Sequence, residues 1–419
     1  MTPLWPAPVA EVPVVATVRV PGSKSVTNRA LVLAALAAAP TTLVSALRSR
    51  DTELMAGGLA ALGTSVEDRD GAWQVEPRRL CGPAEVDVGN AGTVMRFLLP
   101  VAALAHGDVS LDGDPRSHQR PIGSLVDCLR HLGADISGDR ALPLTVHGRG
   151  WLLGGAVTVD AAMSSQFVSA LLLAAPRFAD ATEIRHVGGP VPSVPHIDLT
   201  VSMLRSAGAI VEHVDTMTWR VEPGPLHLGR LVVEPDLSNA APFLAAAVVT
   251  AGTVTVPGWP MRTNQPGDAV RALLEQLGAT CVLDEHGLTV TGPGRLRGVD
   301  VDLSRVGELA PVLAAVCALA EGPSRLRGIA HLRHHETDRL AALEHELRGL
   351  GADVSQHDDG ISVRPHQLHG GVFATYDDHR LATAAAVIGL RVPGVEVENV
   401  ATTGKTLPGF TELWSAMLT

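Results

Sequence analysis

Lysine is nearly absent from this chain: of the 33 basic residues among 419, only Lys24 and Lys405 are lysines. Arginine serves wherever a generic surface cation would do, so these two positions stand out as places that need a compact, tunable ammonium rather than a planar guanidinium. Cysteine is scarce as well. Cys81, Cys128, Cys281 and Cys317 are scattered, with no Cys-x-x-Cys pair and no histidine at metal-binding spacing, which argues against a zinc centre or a disulfide framework. No run approaches the roughly 20 uninterrupted apolar residues of a membrane helix, since the Ala/Leu/Val stretches end after about ten. The first residues, Met1 to Pro6, carry neither a basic nor an apolar leader segment, so the expectation is a cytoplasmic protein with no membrane partner. Positive charge is also in deficit. A net charge of -11 speaks against nucleic-acid binding, which needs a basic face, so an anionic ligand must meet a local positive pocket.

What is present suits a packed globular protein: 46% apolar and 18% charged residues, in a length that fits two domains of roughly 200 residues and a cleft. An Ala/Leu-rich helical run followed by Gly or Pro and a β-branched strand recurs six times. The copies are Arg29 to Ala39, Arg96 to His106, Phe167 to Ala175, Phe243 to Ala251, Pro311 to Glu321 and Leu381 to Arg391, a period of roughly 70 residues. A second marker interleaves with it, an amphipathic helix ending near Gly63, Gly133, Gly208, Gly278 and Gly351, where glycine suits a helix C-terminus. A sixth such helix, Phe410 to Leu418, is cut short by the chain end. Each copy therefore reads as strand, helix, strand, helix, strand, three copies to a domain. A doubly wound dinucleotide fold finds no support, because no Gly-x-Gly-x-x-Gly opens a helix after a strand.

The residues just before each Ala-rich run are polar. The first start, Pro21 to Arg29, combines a glycine turn, two serines, Lys24 and Arg29; the second, Gly89 to Arg96, has two glycines, with Thr93 a candidate cap. Ser164-Ser165-Gln166, Asp236 to Asn239, the region of Glu308, and Asp378-His379-Arg380 follow. Ser, Thr, Asp and Asn are ordinary N-caps. The cations are not: Lys24, Arg29, Arg96 and Arg380 stand where the helix dipole disfavours positive charge, which makes sense if an anion is bound there. Arg120, Arg333 to Arg339 and Lys405 add charge, although Glu336 and Arg339 also have the spacing of a simple intrahelical pair. Bidentate arginines suit phosphate and carboxylate oxygens, and Glu336 and Glu308 are candidates for proton transfer.

In this order, Ser23-Lys24-Ser25 with Arg29, Gly89 to Thr93 with Arg96, Arg120-Pro121, Ser164-Ser165-Gln166, Arg333 to Arg339, Asp378-His379-Arg380 and Lys405-Thr406 resemble the 5-enolpyruvylshikimate-3-phosphate synthase family over essentially the whole chain. The resemblance implies an α/β fold, the inside-out α/β prism, with two domains of three βαβαββ repeats. They would be residues 1–21 plus 235–419 on the phosphoenolpyruvate side and 22–234 on the shikimate 3-phosphate side, with the active site in the cleft. It implies that shikimate 3-phosphate is held by Lys24, Ser25, Arg29, Ser164, Ser165, Gln166, Ser193, Glu308 and His335. Phosphoenolpyruvate would meet Lys24, Gly92, Arg120, Gln166, Arg339, Arg380 and Lys405. By the same resemblance, the 5-hydroxyl would attack C2 while C3 is protonated, and the adduct would then lose phosphate and a C3 proton, with Glu336, Glu308 and Lys24 as catalytic residues. The enzyme implied is a 3-phosphoshikimate 1-carboxyvinyltransferase of aromatic amino-acid biosynthesis, a monomer without metal or cofactor.

The pattern departs from the family on the shikimate side, where Glu308 stands in place of a common Asp, His335 of Lys, His331 of Asn and His196 of Tyr. A histidine at 335 makes shikimate 3-phosphate affinity sensitive to pH near neutrality. The alternatives are the sister enolpyruvyl transfer to a UDP-sugar and a non-catalytic phosphometabolite-binding protein. The first usually carries a reactive cysteine in a loop. Here Leu111 to Pro121 has none, and Cys128 falls in a following helix as a core residue.

Overall fold

The computed structural model describes residues 3–419. One compact unit takes the chain up to Pro21 together with Glu234–Thr419; the other is the continuous segment Gly22–Val233. The repeat is complete between residues 84 and 149: strand Ala84–Asp87, helix Gly92–Ala103, strand His106–Asp112, helix Gly123–His131, then strands Ile136–Ser137 and Leu144–Arg149. The first two strands run parallel, Val86 opposite Leu111, as strands joined through a helix do. The last strand lies antiparallel to the second, Val109 opposite Val146. Among the described residues, five four-stranded sheets share the order first, second, fourth, third, and a sixth has three strands. Periodicity alone foresaw one closing strand; a hairpin closes the repeat instead, in the βαβαββ pattern.

Three copies take a strand from elsewhere in the chain. Arg230–Val232 opens the copy built on helix Lys24–Ala35 by pairing with Thr41–Val44. Val15–Thr17 does the same for the copy built on Leu237–Thr250. Helix Phe410–Met417 ends the last copy, and its sheet is closed by the N-terminal strand Leu4–Pro6, antiparallel to Val395–Glu398. The copy expected to be cut short is thus completed from the other end of the chain.

In each unit three helices form the centre and the sheets lie outside, the inside-out arrangement. Helices Lys24–Ala35, Gly92–Ala103 and Gln166–Ala174 pack on one another in one unit; Leu237–Thr250, Ala310–Ala318 and His379–Gly389 do so in the other. Every residue of Gly92–Ala103 is buried, the condition under which a helix apolar on all sides is stable. The sheets cover the bundle with one face: Trp73 and Val75 point in from Ala72–Glu76 while their neighbours are partly exposed. Gly63, Gly133, Gly208, Gly278 and Gly351 follow the outer helices with φ between 91° and 105°, the left-handed C-terminal position that a Cβ disfavours.

The central helices begin earlier than their apolar runs suggest, at Lys24 rather than Arg29 and at Leu237 rather than Phe243. The polar residues read as leaders are the first helical turns, whose N–H groups have no partner within the helix. Thr93 is not a cap either. Ala91 holds that position, and Thr93 instead accepts a hydrogen bond from the Asn28 side chain at 2.7 Å. No helix among the described residues is long and apolar enough to cross a membrane.

Candidate functional site

In the Gly22–Val233 unit the three central helix starts are joined by side chains. Asn28 donates to Thr93, linking the first to the second. Arg96 Nη1 donates to Gln166 Oε1 at 2.7 Å, linking the second to the third. Arg29 Nε donates to Thr200 Oγ1 at 2.7 Å and Thr200 to Ser169 at 3.1 Å, returning from the third to the first. This ring fixes two of the cations, Arg29 and Arg96, which are members of it.

Lys24 is the first residue of its helix, after the cap Ser23, and its ammonium lies 3.2 Å from Asp51 Oδ2. Arg29 lies one turn on and is buried. Besides Thr200 it donates to the carbonyls of Ser25 and His196, both at 3.0 Å, and burial lowers its pKa to about 9, which still leaves it cationic at neutral pH. Ser193 precedes the helix Pro195–Ser206 in a left-handed conformation, φ 52°. Ser164 Oγ accepts from the Gln166 N–H at 3.3 Å, and Ser165 is buried beside it.

Arg120 and Gly92 are interlocked. Arg120 Nη1 donates to the Asn90 carbonyl at 2.7 Å and to its side-chain oxygen at 3.1 Å, while Nε is buried without a partner. A Cβ on Gly92 would stand 2.6 Å from Arg120 Nη2 and 2.9 Å from Arg96 Nη1, so only glycine lets both guanidiniums crowd that helix start. Arg96 also donates to the Pro121 carbonyl at 2.8 Å, holding the residue after Arg120.

The other unit carries a denser cluster. Glu336 lies between two cations, Lys405 Nζ at 3.1 Å from Oε1 and Arg339 Nη2 at 2.9 Å from Oε2. All three side chains are under 10% exposed. Arg339 opens helix Arg339–Gly349 and also holds Asp378, Nε to Oδ2 at 2.7 Å and Nη2 to Oδ1 at 3.1 Å. Burial alone would lower its pKa, but Asp378 and Glu336 outweigh that and raise it. Glu336 precedes the helix, so the pair joins a loop to a helix start instead of stapling two turns. His335 Nδ1 is 3.3 Å from Arg339 Nη1 and 3.9 Å from Glu336.

Asp378 caps the helix that carries Arg380. Arg380 donates to the Ser238 carbonyl at 2.8 Å; burial lowers its pKa, with Asp236 opposing and Arg339 adding to the effect. Ser238 in turn donates to Glu308 at 3.4 Å. Next to Gly307, the residue before Glu308, His331 Nε2 is buried, and burial lowers that imidazole to about 4. Such crowded, desolvated cations are what a doubly charged ligand offsets.

The sequence-predicted residues thus gather in two sets, Lys24 to Gln166 with Ser193 in one unit and Glu308 to Lys405 in the other. Asp51, Asn90, Asp378 and Ser238 were not foreseen as partners, since each contact spans 27 or more residues of chain. Among the described residues no group of three His, Cys, Asp or Glu could hold a metal. Cys128 is buried in helix Gly123–His131, where burial pushes its thiol up to about 12.

A family model described as EPSP synthase (3-phosphoshikimate 1-carboxyvinyltransferase) matches residues 9–414. A curated Kocuria rhizophila protein named 3-phosphoshikimate 1-carboxyvinyltransferase is 54% identical over 429 aligned residues, covering 99% of this chain and 96% of that protein. The fold is also that of an Acinetobacter baumannii EPSP synthase structure, with TM-score 0.82, 24% identity, and coverage of 100% of this chain and 98% of that one. The enolpyruvyl transferase NikO from Streptomyces tendae has TM-score 0.78 at 20% identity, covering 99% and 97%. With the family model and the curated relative both matching almost end to end, the chain belongs to the EPSP synthase (3-phosphoshikimate 1-carboxyvinyltransferase) family.

Proposed function

We infer that this protein transfers the enolpyruvyl group of phosphoenolpyruvate to the 5-hydroxyl of shikimate 3-phosphate and releases phosphate, a step of aromatic amino-acid biosynthesis. The observation that carries the reading is Glu336 held between Lys405 and Arg339: one carboxylate able to move a proton, set among cations suited to phosphate and carboxylate.

In this reading Lys405, Arg339 and Arg380 bind phosphoenolpyruvate with Lys24, Gly92, Arg120 and Gln166. Shikimate 3-phosphate takes Lys24, Ser25, Arg29, Ser164, Ser165, Gln166, Ser193, Glu308 and His335. Residues 1–21 plus 235–419 then serve as the phosphoenolpyruvate side and 22–234 as the shikimate 3-phosphate side of one active site. Glu308 takes the proton of the attacking hydroxyl, Glu336 supplies the proton at C3, and Lys24 shares the work. A C–O bond forms at C2; the C2–O bond to phosphate then breaks as C3 gives up a proton, so the cycle closes without any oxidant. Arg29 gives one N–H from each nitrogen to Thr200 and the carbonyls of Ser25 and His196, three of the five donors a guanidinium carries, which fixes it beside Ser25. The protein works in the cytoplasm as a monomer.

The test is the reaction run in deuterated water. Product carrying deuterium in its vinyl group is expected, and Glu336→Gln should slow it at least about a hundredfold. An absence of product defeats the reading; deuterium-free product, or an unimpaired variant, defeats the role of Glu336.

A further inference from the structure

The turn at residues 375–378 is strained. The Asp378 N–H donates to the Thr375 carbonyl at 2.9 Å, and both central residues, Tyr376 at φ 52° and Asp377 at φ 56°, are left-handed. Turns of that kind favour Gly, Asn or Asp, and a bulky tyrosine there is an outlier. Such strain persists only where the surroundings over-determine it.

Here they do. Glu346, a buried carboxylate of helix Arg339–Gly349, accepts the Tyr376 hydroxyl at 2.7 Å and the Ala374 N–H at 2.8 Å. Asp377 accepts from Asn399 Nδ2 at 2.6 Å through its side chain and from Thr402 Oγ1 at 2.8 Å through its carbonyl. Thr402 belongs to the short 3-10 turn Val400–Lys405. Three elements therefore meet at this turn: the helix begun by Arg339, the helix capped by Asp378 that carries Arg380, and the turn that ends in Lys405. Tyr376 is the only tyrosine of the chain, and its hydroxyl serves this contact.

We propose that Glu346, Tyr376 and Asp377 are positioning residues that set the spacing of Arg339, Arg380 and Lys405, and through it the affinity for the phosphate and carboxylate of phosphoenolpyruvate. The proposal rests on the reading of those three cations as phosphoenolpyruvate ligands. Its mechanics are direct. Asp378 follows the turn without a spacer, so relaxing the turn swings the carboxylate that holds Arg339 and redirects Arg380 together with it.

Tyr376→Phe deletes one hydroxyl from a residue that is 44% exposed, and Glu346→Gln keeps shape while losing the double acceptor. Each should raise KM for phosphoenolpyruvate about tenfold, with KM for shikimate 3-phosphate within about twofold. The dissociation constant of inorganic phosphate, measured by calorimetry on the full chain, should rise by a similar factor. The double variant should be no worse than the more affected single, because both changes break one link. An unchanged KM and phosphate affinity in Tyr376→Phe, a parallel rise in both KM values, or multiplicative losses in the double variant would overturn the proposal. If Glu346→Gln folds poorly, Tyr376→Phe decides alone. A parent that binds phosphate without turnover sinks the reaction, and the phosphate arm still judges the turn.

Discussion

Gly92 shows how much one missing Cβ does at this site. Two guanidiniums, Arg120 and Arg96, fill the space a side chain would take, and each is fastened elsewhere, to Asn90 and to Gln166. In Gly92→Ala the flexible end of Arg120 has to move, so the fold survives while the guanidinium proposed to bind phosphoenolpyruvate shifts. KM for phosphoenolpyruvate should rise about tenfold with little change in the melting midpoint, consistent with a lost charge-assisted contact; steady-state kinetics beside a thermal melt checks this. Lys24 and Arg380 were legible in the sequence because they violate dipole preference in a first helical turn, whereas Arg29 and Arg96 fall beyond that turn. The partners were not legible. Asp51 was not singled out and Asp378 read as a helix cap, and only folding brings them to Lys24 and Arg339.

At the scale of the element, the repeat was legible from two periodic signals, the apolar runs and the glycines after the outer helices. The glycine signal has a measurable counterpart. A Cβ on Gly208 meets no atom within 4 Å, yet φ is 91°; a Cβ on Gly57, inside helix Arg50–Ala61, also meets none, and its φ is not left-handed. Gly208→Ala should cost about 1 kcal/mol through backbone strain, while Gly57→Ala should gain about 1 kcal/mol through helix propensity. Denaturant unfolding of both variants checks the pair. Helix onsets were misread for a related reason: an apolar run marks where a helix becomes apolar, and the turns that begin at Lys24 and Leu237 carry polar residues such as Asn28 and Asn239 instead.

At the scale of the whole molecule, chain order and spatial order part company. Pairing of Arg230–Val232 with Thr41–Val44, or of Leu4–Pro6 with Val395–Glu398, leaves no local trace in sequence. The segment Gly22–Val233 contains every strand of its three sheets, whereas 234–419 lacks Leu4–Pro6 and Val15–Thr17. Expressed alone, 22–233 should melt cooperatively and 234–419 should not, by calorimetry, because open sheet edges and uncovered core follow from the missing strands. The function proposed needs both halves, each contributing one of the two lysines. The most direct measurement is phosphate release from phosphoenolpyruvate by the full chain, its Lys24→Met and Lys405→Met variants, and the double variant. Release by the parent only when shikimate 3-phosphate is present, at least about a hundredfold loss in each single variant, and no further loss in the double are the expected results for groups acting as a unit. Release without shikimate 3-phosphate, or a parental rate in either lysine variant, would contradict it.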